Sequence, residues 1–147
     1  MEPAAAPDAD PPTAAPLPAV GQTAEWAREV TDAVIRQFAD ATGDHNPVHL
    51  DDAAAAGTRF GGRIAHGMLS AGFVSAAIAT ALPGPGSIYL SQSLRFVRPV
   101  RPGDVVTVRL EVLDVVAAKR RVRLATACTN QRGEIVVDGE AVVKVPE

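Results

Sequence analysis

The sequence predicts an α+β fold in which an antiparallel sheet wraps around one buried, apolar helix. Residues 68–82 are apolar on nearly every side when drawn as a helix, and such a helix must be enclosed by other structure. Residues 83–86, PGPG, end that segment, and after them the hydrophobic spacing changes from that of a helix to that of strands. A helical part followed by a run of strands is the element order of an α+β architecture.

The N-terminal segment differs in composition from the rest of the chain. Residues 1–18 hold six of the twelve prolines, mixed with alanine and aspartate. Such a segment buries too little apolar surface to offset the entropy lost on ordering. We therefore predict a flexible tail over residues 1–18, whose removal leaves stability and turnover nearly unchanged, and a single domain over residues 19–147.

The first elements of the domain follow from local signals. Moderate alternation over residues 22–30 predicts a strand. Thr31 then suits the N-cap of a helix that ends before Gly43. The residues expected on its buried face are Val34, Ile35, Phe38 and Ala41. Pro47 prevents regular helix in the next segment, although residues 51–56 are compatible with one short helical turn.

Four strand-like runs form the C-terminal half of the chain. They cover residues 87–97, 104–117, 121–130 and 134–145. Residues 99–103 make the turn after the first run, and residues 131–133, QRG, suit a hairpin loop. In the third run the apolar residues alternate imperfectly, so the sequence does not show which face of this strand is buried.

Composition and charge exclude several classes of protein. Hydrophobic residues make up 47% of the 147 positions, and the net charge is only −3 with scattered basic residues, so no nucleic-acid surface is expected. The longest apolar stretch, residues 67–82, is too short and too rich in small residues to span a membrane. Cys128 is the only cysteine, which fits a reducing compartment. With no secretory signal visible, we expect a cytoplasmic protein.

The densest group of polar residues is TGDHNPVHLD, residues 42–51. Residue by residue, it fits a surface loop in which aspartate and asparagine bond to their own backbone. A metal site is the second interpretation, but His45 and His49 would need a helix between them, and Pro47 stands there. No cysteine or further histidine stands nearby in the sequence to complete a set of ligands, so no metal is expected.

Acid–base catalysis is the third interpretation of the same loop. Asp44 accepts protons when ionised, and His49 can give or take one near neutral pH. A rigid turn between them could direct both side chains at one water molecule, with Asn46 holding the loop by hydrogen bonds. The spacing alone is a weak motif.

Four segments together resemble the MaoC-like dehydratases, and especially the (R)-specific enoyl-CoA hydratases. They are FADATGDHNPVHLDDA (residues 38–53), RIAHGMLS (63–70), GSIYLSQSLRFVRPVRPGD (86–104) and GEAVVKVP (139–146). The match runs in order over about residues 25–146 and leaves out the proline-rich segment. Two positions depart from the family pattern: Ala41 replaces a larger aliphatic residue, and His45 stands where an apolar or aromatic residue is common.

The resemblance implies a hot-dog fold, a homodimer and a set of site residues. Asp44 and His49 match the family's catalytic pair, which holds the water that is added. Gly67 matches the glycine whose backbone N–H binds the thioester carbonyl, and Ser75 and Asn46 match positions near the substrate. His66, which precedes that glycine, is expected to have a structural role at the start of the helix. No metal or other cofactor is implied, because coenzyme A is part of the substrate.

We therefore predict an (R)-specific enoyl-CoA hydratase that adds water to trans-2-enoyl-CoA and also runs in reverse as a dehydratase. Asp44 would take a proton from water, and His49 would supply or relay the proton to C2. The alternatives left open are a dehydratase acting on acyl carrier protein, a hot-dog thioesterase and a non-catalytic acyl-binding subunit. Acyl chain length is also left open. Six basic residues are available to meet the phosphates of coenzyme A: Arg95, Arg98, Arg101, Lys119, Arg120 and Arg121.

Overall fold

The computed structural model describes residues 14–147 and has the predicted α+β architecture. The elements are β1 (Thr23–Glu29), α1 (Asp32–Thr42), α2 (Pro47–Leu50), α3 (Asp52–Ala56), α4 (Gly67–Thr80), β2 (Ile88–Gln92), β3 (Arg95–Phe96), β4 (Val105–Val116), a 3-10 turn (Ala117–Lys119), β5 (Arg121–Thr129) and β6 (Ile135–Lys144). The strands form one antiparallel sheet in the order β1-β4-β5-β6-β2, and β3 also pairs with β6. Helix α4 packs against β1, β4, β5 and β6, which is the hot-dog arrangement.

Helix α1 begins and ends where the sequence predicts. The Thr31 hydroxyl accepts a hydrogen bond from the Val34 N–H at 3.1 Å, and Gly43 takes the left-handed conformation, with φ +81°, just after the last turn. Ile35 and Ala39 are its buried residues. The predicted inward position of Ala41 is wrong, because the buried stripe continues from Ile35 at i+4 and leaves Ala41 exposed.

Helix α4 spans Gly67–Thr80, two residues short of the predicted end at residue 82. Its buried face carries Leu69, Ser70, Phe73, Val74, Ala77 and Ile78. The opposite side is uncovered in the single chain, where Gly72 and Ala79 are exposed and Met68 is 55% exposed. The sheet therefore encloses one side of this apolar helix only.

The first predicted strand run is divided into β2 and β3. The pairing of β2 with β6 shifts register between Tyr89 and Ser91, and residues 93–94 separate the two strands. Gly139 of β6 lets the chain pass there, because a Cβ at that position would lie 1.9 Å from the Ser93 carbonyl oxygen.

The open question about the third run is answered by β5. Its inward residues are Val122, Leu124, Thr126 and Cys128, all of which are buried. Alternation looked imperfect because polar Thr126 lies on the inner face, while small Ala125 and Ala127 lie partly buried on the other.

Part of the predicted tail touches the domain. Residues 1–13 lie outside the described residues, so that part of the prediction stays a prediction. Ala15 and Leu17 are partly buried against the core, and the Ala15 carbonyl accepts a hydrogen bond from the Arg120 guanidinium. Contacts with the domain thus begin before the boundary predicted at residue 19. In residues 14–147 no helix is both long and apolar enough to cross a membrane.

Candidate active site

The loop that carries Asp44 is held by short-range hydrogen bonds. The Asp44 N–H donates to the Thr42 hydroxyl at 3.2 Å, and the Asp44 carboxylate accepts the N–H of Asn46 at 3.2 Å. Asn46 then caps α2 by accepting the N–H of Val48 at 3.4 Å. Pro47 is the first residue of this one-turn helix, where its missing N–H has no consequence. The turn therefore presents His49 a short distance from Asp44.

One ring nitrogen of His49 makes a hydrogen bond to the main chain, and the other does not. Its Nδ1 lies 2.8 Å from the main-chain oxygen of Ile64. Since a carbonyl only accepts, Nδ1 carries a hydrogen and Nε2 is left for chemistry. His49 is 8% exposed, and this burial lowers the pKa of the ring, with the hydrogen bond to Ile64 acting in the opposite direction.

His66 joins the two predicted catalytic residues in space. The Asp44 carboxylate and one nitrogen of each ring, His49 and His66, all lie within 4.8 Å of one another. His66 is 2% exposed, its Nε2 lies 3.0 Å from the main-chain oxygen of Asp44, and its ring centroid is 3.8 Å from that of His49. The fold thus places Asp44 and His49 near each other and adds a third polar residue to them.

This third residue reopens the question of a metal ion. The nitrogens that do not face a carbonyl are His49 Nε2 and His66 Nδ1. The two rings lie against each other, with centroids 3.8 Å apart and an interplanar angle of 31°. A zinc ion needs each nitrogen about 2.0–2.1 Å away along its lone pair. Each ring also has one nitrogen facing a main-chain carbonyl, and the absence of a metal stays a prediction.

Gly67 is the first residue of α4, where helix N–H groups have no partner in the preceding turn. The Phe96 ring lies over it, since a Cβ added at Gly67 would be 2.6 Å from Phe96 Cδ1. Gly67 lines a cavity of about 370 Å³ together with Arg59, Arg98 and Met68. An N–H here can donate to an oxygen in that cavity.

A second, larger cavity of about 770 Å³ holds Asp44 and Ser75 in its wall. Most of the remaining lining is apolar and includes Phe38, Ala71, Leu90 and Leu94. Met68 lines both cavities, so they meet at the start of α4. Of the predicted residues, Asp44 and Ser75 thus border the larger cavity and Gly67 borders the smaller one, while the buried His49 and His66 line neither.

Two residues of the loop point elsewhere. His45 is exposed and pairs with Asp40 at 3.1 Å, and this hydrogen bond raises its pKa. Asn46 lines neither of the two cavities, and its side chain makes the capping contact described above. Its assignment to substrate binding stays a prediction.

Arg63 is a residue that the sequence reasoning did not single out. Its guanidinium pairs with Asp32 at 2.6 Å and Asp52 at 2.8 Å, and donates to the main-chain oxygen of His49 at 3.3 Å. Next to it, the Ile64 N–H donates to Val48 O at 3.2 Å. Segment 63–66 therefore contacts the loop of residues 42–51 at several points. The only signal in the sequence was its place within RIAHGMLS.

The basic residues divide into two groups. Arg101 donates to the carbonyls of Phe60 and Gly62, and Arg120 donates to those of Val145 and Ala15, so both tie segments of the fold together. Arg98 and Arg59 border the smaller cavity, and Arg98 also donates to the main-chain oxygen of Ile135 at 2.9 Å. Arg59 was not among the six residues named from sequence.

Comparison with known proteins gives consistent similarities. A sequence profile described as the MaoC like domain matches residues 15–134. The chain is 49% identical over 128 residues to the 3-hydroxybutyryl-CoA dehydratase of Methylorubrum extorquens, covering 87% of this chain and 81% of that protein. It is 48% identical over 126 residues to the (R)-specific enoyl-CoA hydratase of Rhodospirillum rubrum, covering 86% and 87% respectively. The unliganded R-hydratase PhaJ1 of Pseudomonas aeruginosa superposes with a TM-score of 0.86 at 54% identity, covering 91% of this chain and 87% of that one.

Proposed function

The chain belongs to the MaoC-like domain family, and we propose that it is an (R)-specific enoyl-CoA hydratase, a hydro-lyase that adds water to trans-2-enoyl-CoA. One observation carries the proposal: the Asp44 carboxylate and a nitrogen of His49 lie within 4.8 Å of each other, with Asp44 in the wall of a largely apolar cavity. The names of the Rhodospirillum and Pseudomonas relatives support the same activity.

Gly67 supplies the electrostatic part of the reaction. A thioester carbonyl placed in the smaller cavity can accept the N–H at the start of α4, where the helix dipole is positive. When the hydroxyl adds at C3, the electrons of the double bond move toward this carbonyl oxygen. A fixed donor stabilises that developing charge more than it stabilises the ground state.

Asp44 and His49 supply the proton transfers. One water between them loses a proton to the pair as its oxygen bonds to C3, and the pair delivers a proton to C2. The pair ends in the protonation state in which it began, so the path also runs in reverse. Because burial lowers the pKa of His49, Nε2 begins as a lone pair near neutral pH, which favours a relay of the proton over supply of a resident one.

The two cavities suggest how the substrate lies. The apolar wall formed by Phe38, Leu90 and Leu94 suits an acyl chain extending past Ser75. On the other side of Met68, Arg59 and Arg98 border the smaller cavity toward which the coenzyme A part would run. Both arginines are candidates for contact with its phosphates.

The test is a panel of trans-2-enoyl-CoA substrates from C4 to C16, followed by loss of enoyl absorbance and by chiral analysis of the product. We expect (R)-3-hydroxyacyl-CoA, no release of free coenzyme A thiol, and no change on treatment with EDTA. Release of thiol without hydration would indicate a thioesterase, and faster turnover of acyl carrier protein thioesters would indicate a dehydratase of fatty-acid synthesis. If the purified chain turns over none of these substrates, the remaining interpretation is a non-catalytic acyl-binding subunit.

The functional unit is proposed to be a homodimer, in the reducing cytoplasm. The exposed Ala79 on the uncovered side of α4 and the exposed apolar Ile88 of β2, which lie outside both cavities, belong to the surface that a second copy would cover. Sedimentation should give about twice the chain mass of 15.2 kDa. A fully active monomer would contradict this assembly.

A further inference from the structure

His66 makes two contacts that join the catalytic residues. Its Nε2 lies 3.0 Å from the main-chain oxygen of Asp44, so this nitrogen carries a hydrogen and donates it. Its ring lies 3.8 Å from the ring of His49 between centroids, and it also packs against Phe38 at 4.8 Å. The same side chain therefore touches the main chain that bears one catalytic group and the ring of the other.

The start of α4 does not by itself require a histidine at this position. His66 is the N-cap residue, yet its side chain makes no capping hydrogen bond. Its Nδ1 is buried and has no hydrogen-bond partner within residues 14–147. Buried polar atoms without partners are rare because they are costly, so packing alone would favour phenylalanine or leucine here. The contacts with Asp44 and His49 are what remains to explain the imidazole.

We propose that His66 is a positioning residue for the hydratase reaction: its Nε2–H holds the Asp44 main chain while its ring holds the plane of His49, so that both groups meet one water. This inference rests on the proposed function. It replaces the purely structural role expected from sequence, because the residue orients two reacting groups without touching the substrate itself. A displacement of about 1 Å in such a pair lowers a rate on the order of 10²-fold.

Two variants separate the two contacts. His66→Phe keeps a ring against His49 and removes the donor to Asp44, whereas His66→Gln keeps an N–H at a similar reach and removes the ring. We expect both to lower kcat, by roughly 10- to 100-fold, with KM changed by less than about threefold. The melting temperature of His66→Phe should stay close to that of the parent, because removal of the unpartnered Nδ1 offsets loss of the hydrogen bond to the Asp44 carbonyl.

The pH profile distinguishes positioning from simple packing. The groups that face His49 in the described residues are Asp44, His66 and, at its main-chain oxygen, Arg63. Burial is the main cause of the lowered pKa of His49, and the neighbouring His66 lowers it further. Both variants should therefore move the acid limb of kcat/KM to higher pH. His45→Gln is the matched control, since that exposed histidine in the same loop pairs with Asp40 and should leave rate and profile unchanged.

A measurement on the parent protein keeps the proposal testable if a variant does not fold. Nitrogen NMR of the imidazole rings should find the Nε2–H tautomer for His66 and the Nδ1–H tautomer for His49, with or without substrate. The Nδ1–H tautomer at His66, or a His66→Phe variant with normal kcat and an unchanged pH profile, would overturn the proposal. Absence of hydratase activity in the parent would instead refute the proposed function, and the NMR result would still stand.

Discussion

At Asp44 and His49 the proposed chemistry depends on which side-chain atoms already make hydrogen bonds within the protein. The Asp44 carboxylate accepts one N–H from its own loop, and His49 commits Nδ1 to the carbonyl of Ile64. What remains free is the second carboxylate oxygen and Nε2. In the proposed reaction these two atoms share one water, and a group that only hydrogen-bonds would not replace either of them.

We expect Asp44→Asn and His49→Gln each to lower turnover by about 10²- to 10⁴-fold while substrate binding changes little. Asparagine keeps the size of Asp44 without the proton acceptor, and glutamine keeps hydrogen bonding without a titratable ring. The double variant should be hardly slower than the slower single variant, because both residues act on one water. Steady-state rates with trans-2-enoyl-CoA measure this.

His45→Gln serves as the control for these variants, since His45 is exposed and bound to Asp40 outside the cluster. It should keep most of the activity, and circular dichroism should show that all variants fold. Near-normal rates in both Asp44→Asn and His49→Gln would mean that the loop is an ordinary polar turn and that the proposed chemistry lies elsewhere.

The lowered pKa of His49 predicts that activity is lost toward acidic pH. Burial lowers its pKa below the ordinary 6.5, and the reaction needs the lone pair on Nε2. Activity should therefore be retained at neutral pH and fall as the pH drops through the lowered pKa, where the ring becomes protonated. The profile of kcat/KM from pH 4.5 to 9 reports this group in the free enzyme. A rate that rises toward acid would show that the protonated ring is the active form.

Strand β6 needs a residue without a side chain at position 139, because another segment of the chain crosses it there. The link from β2 to β3 passes over Gly139, and the Ser93 N–H donates to the Glu140 carbonyl at 2.9 Å. The Ser93 hydroxyl accepts the Glu140 N–H at 3.0 Å. Two segments that are distant in sequence thus meet backbone to backbone at a residue without a side chain.

Gly139→Ala should lower the free energy of unfolding by about 1–3 kcal/mol. The new Cβ would lie 1.9 Å from the Ser93 carbonyl oxygen, and a backbone atom cannot rotate away as a side chain can. Urea denaturation measures the effect. Gly57→Ala is the matched control, because its Cβ would meet only the Ala54 oxygen at an ordinary 3.6 Å, and it should change stability by less than about 0.5 kcal/mol. Equal stabilities for the two variants would contradict the close approach.

In the whole molecule, the domain and the N-terminal segment meet at Arg120. The guanidinium donates to the carbonyls of Ala15 and Val145, so the start of the described chain lies beside the end of β6. Leu17 and Ala15 add partly buried apolar surface there. The predicted dispensability of residues 1–18 is therefore confined to the part that makes none of these contacts.

Deletion of residues 1–13 should leave the melting temperature and turnover unchanged, whereas deletion of residues 1–18 should lower the melting temperature by several degrees. The longer deletion removes the apolar contacts of Leu17 and Ala15 and leaves one Arg120 donor without its carbonyl. Differential scanning calorimetry compares the two truncated chains with the parent. Identical melting temperatures for all three would mean that residues 14–18 contribute nothing.

The sequence by itself determined the features that depend on near neighbours. Thr31 and Gly43 bound α1 because an N-cap hydroxyl and a left-handed glycine act within three or four residues. The spacing of apolar residues predicted the helix-then-strand order, and resemblance over several short segments marked Asp44, His49 and Gly67 as candidate site residues. Each of these conclusions needed only local backbone sterics, periodicity or a contiguous motif.

Only the tertiary structure decided the contacts between distant segments. The stacking of His66 on His49, the triple contact of Arg63, and the passage of Ser93 over Gly139 join residues that no spacing rule connects. Packing of the sheet on α4 also decided which face of β5 is buried, because both faces carry small or apolar residues. Such contacts follow from how whole elements fit together, and a histidine or arginine in the sequence gives no sign of the partner that the fold will bring to it.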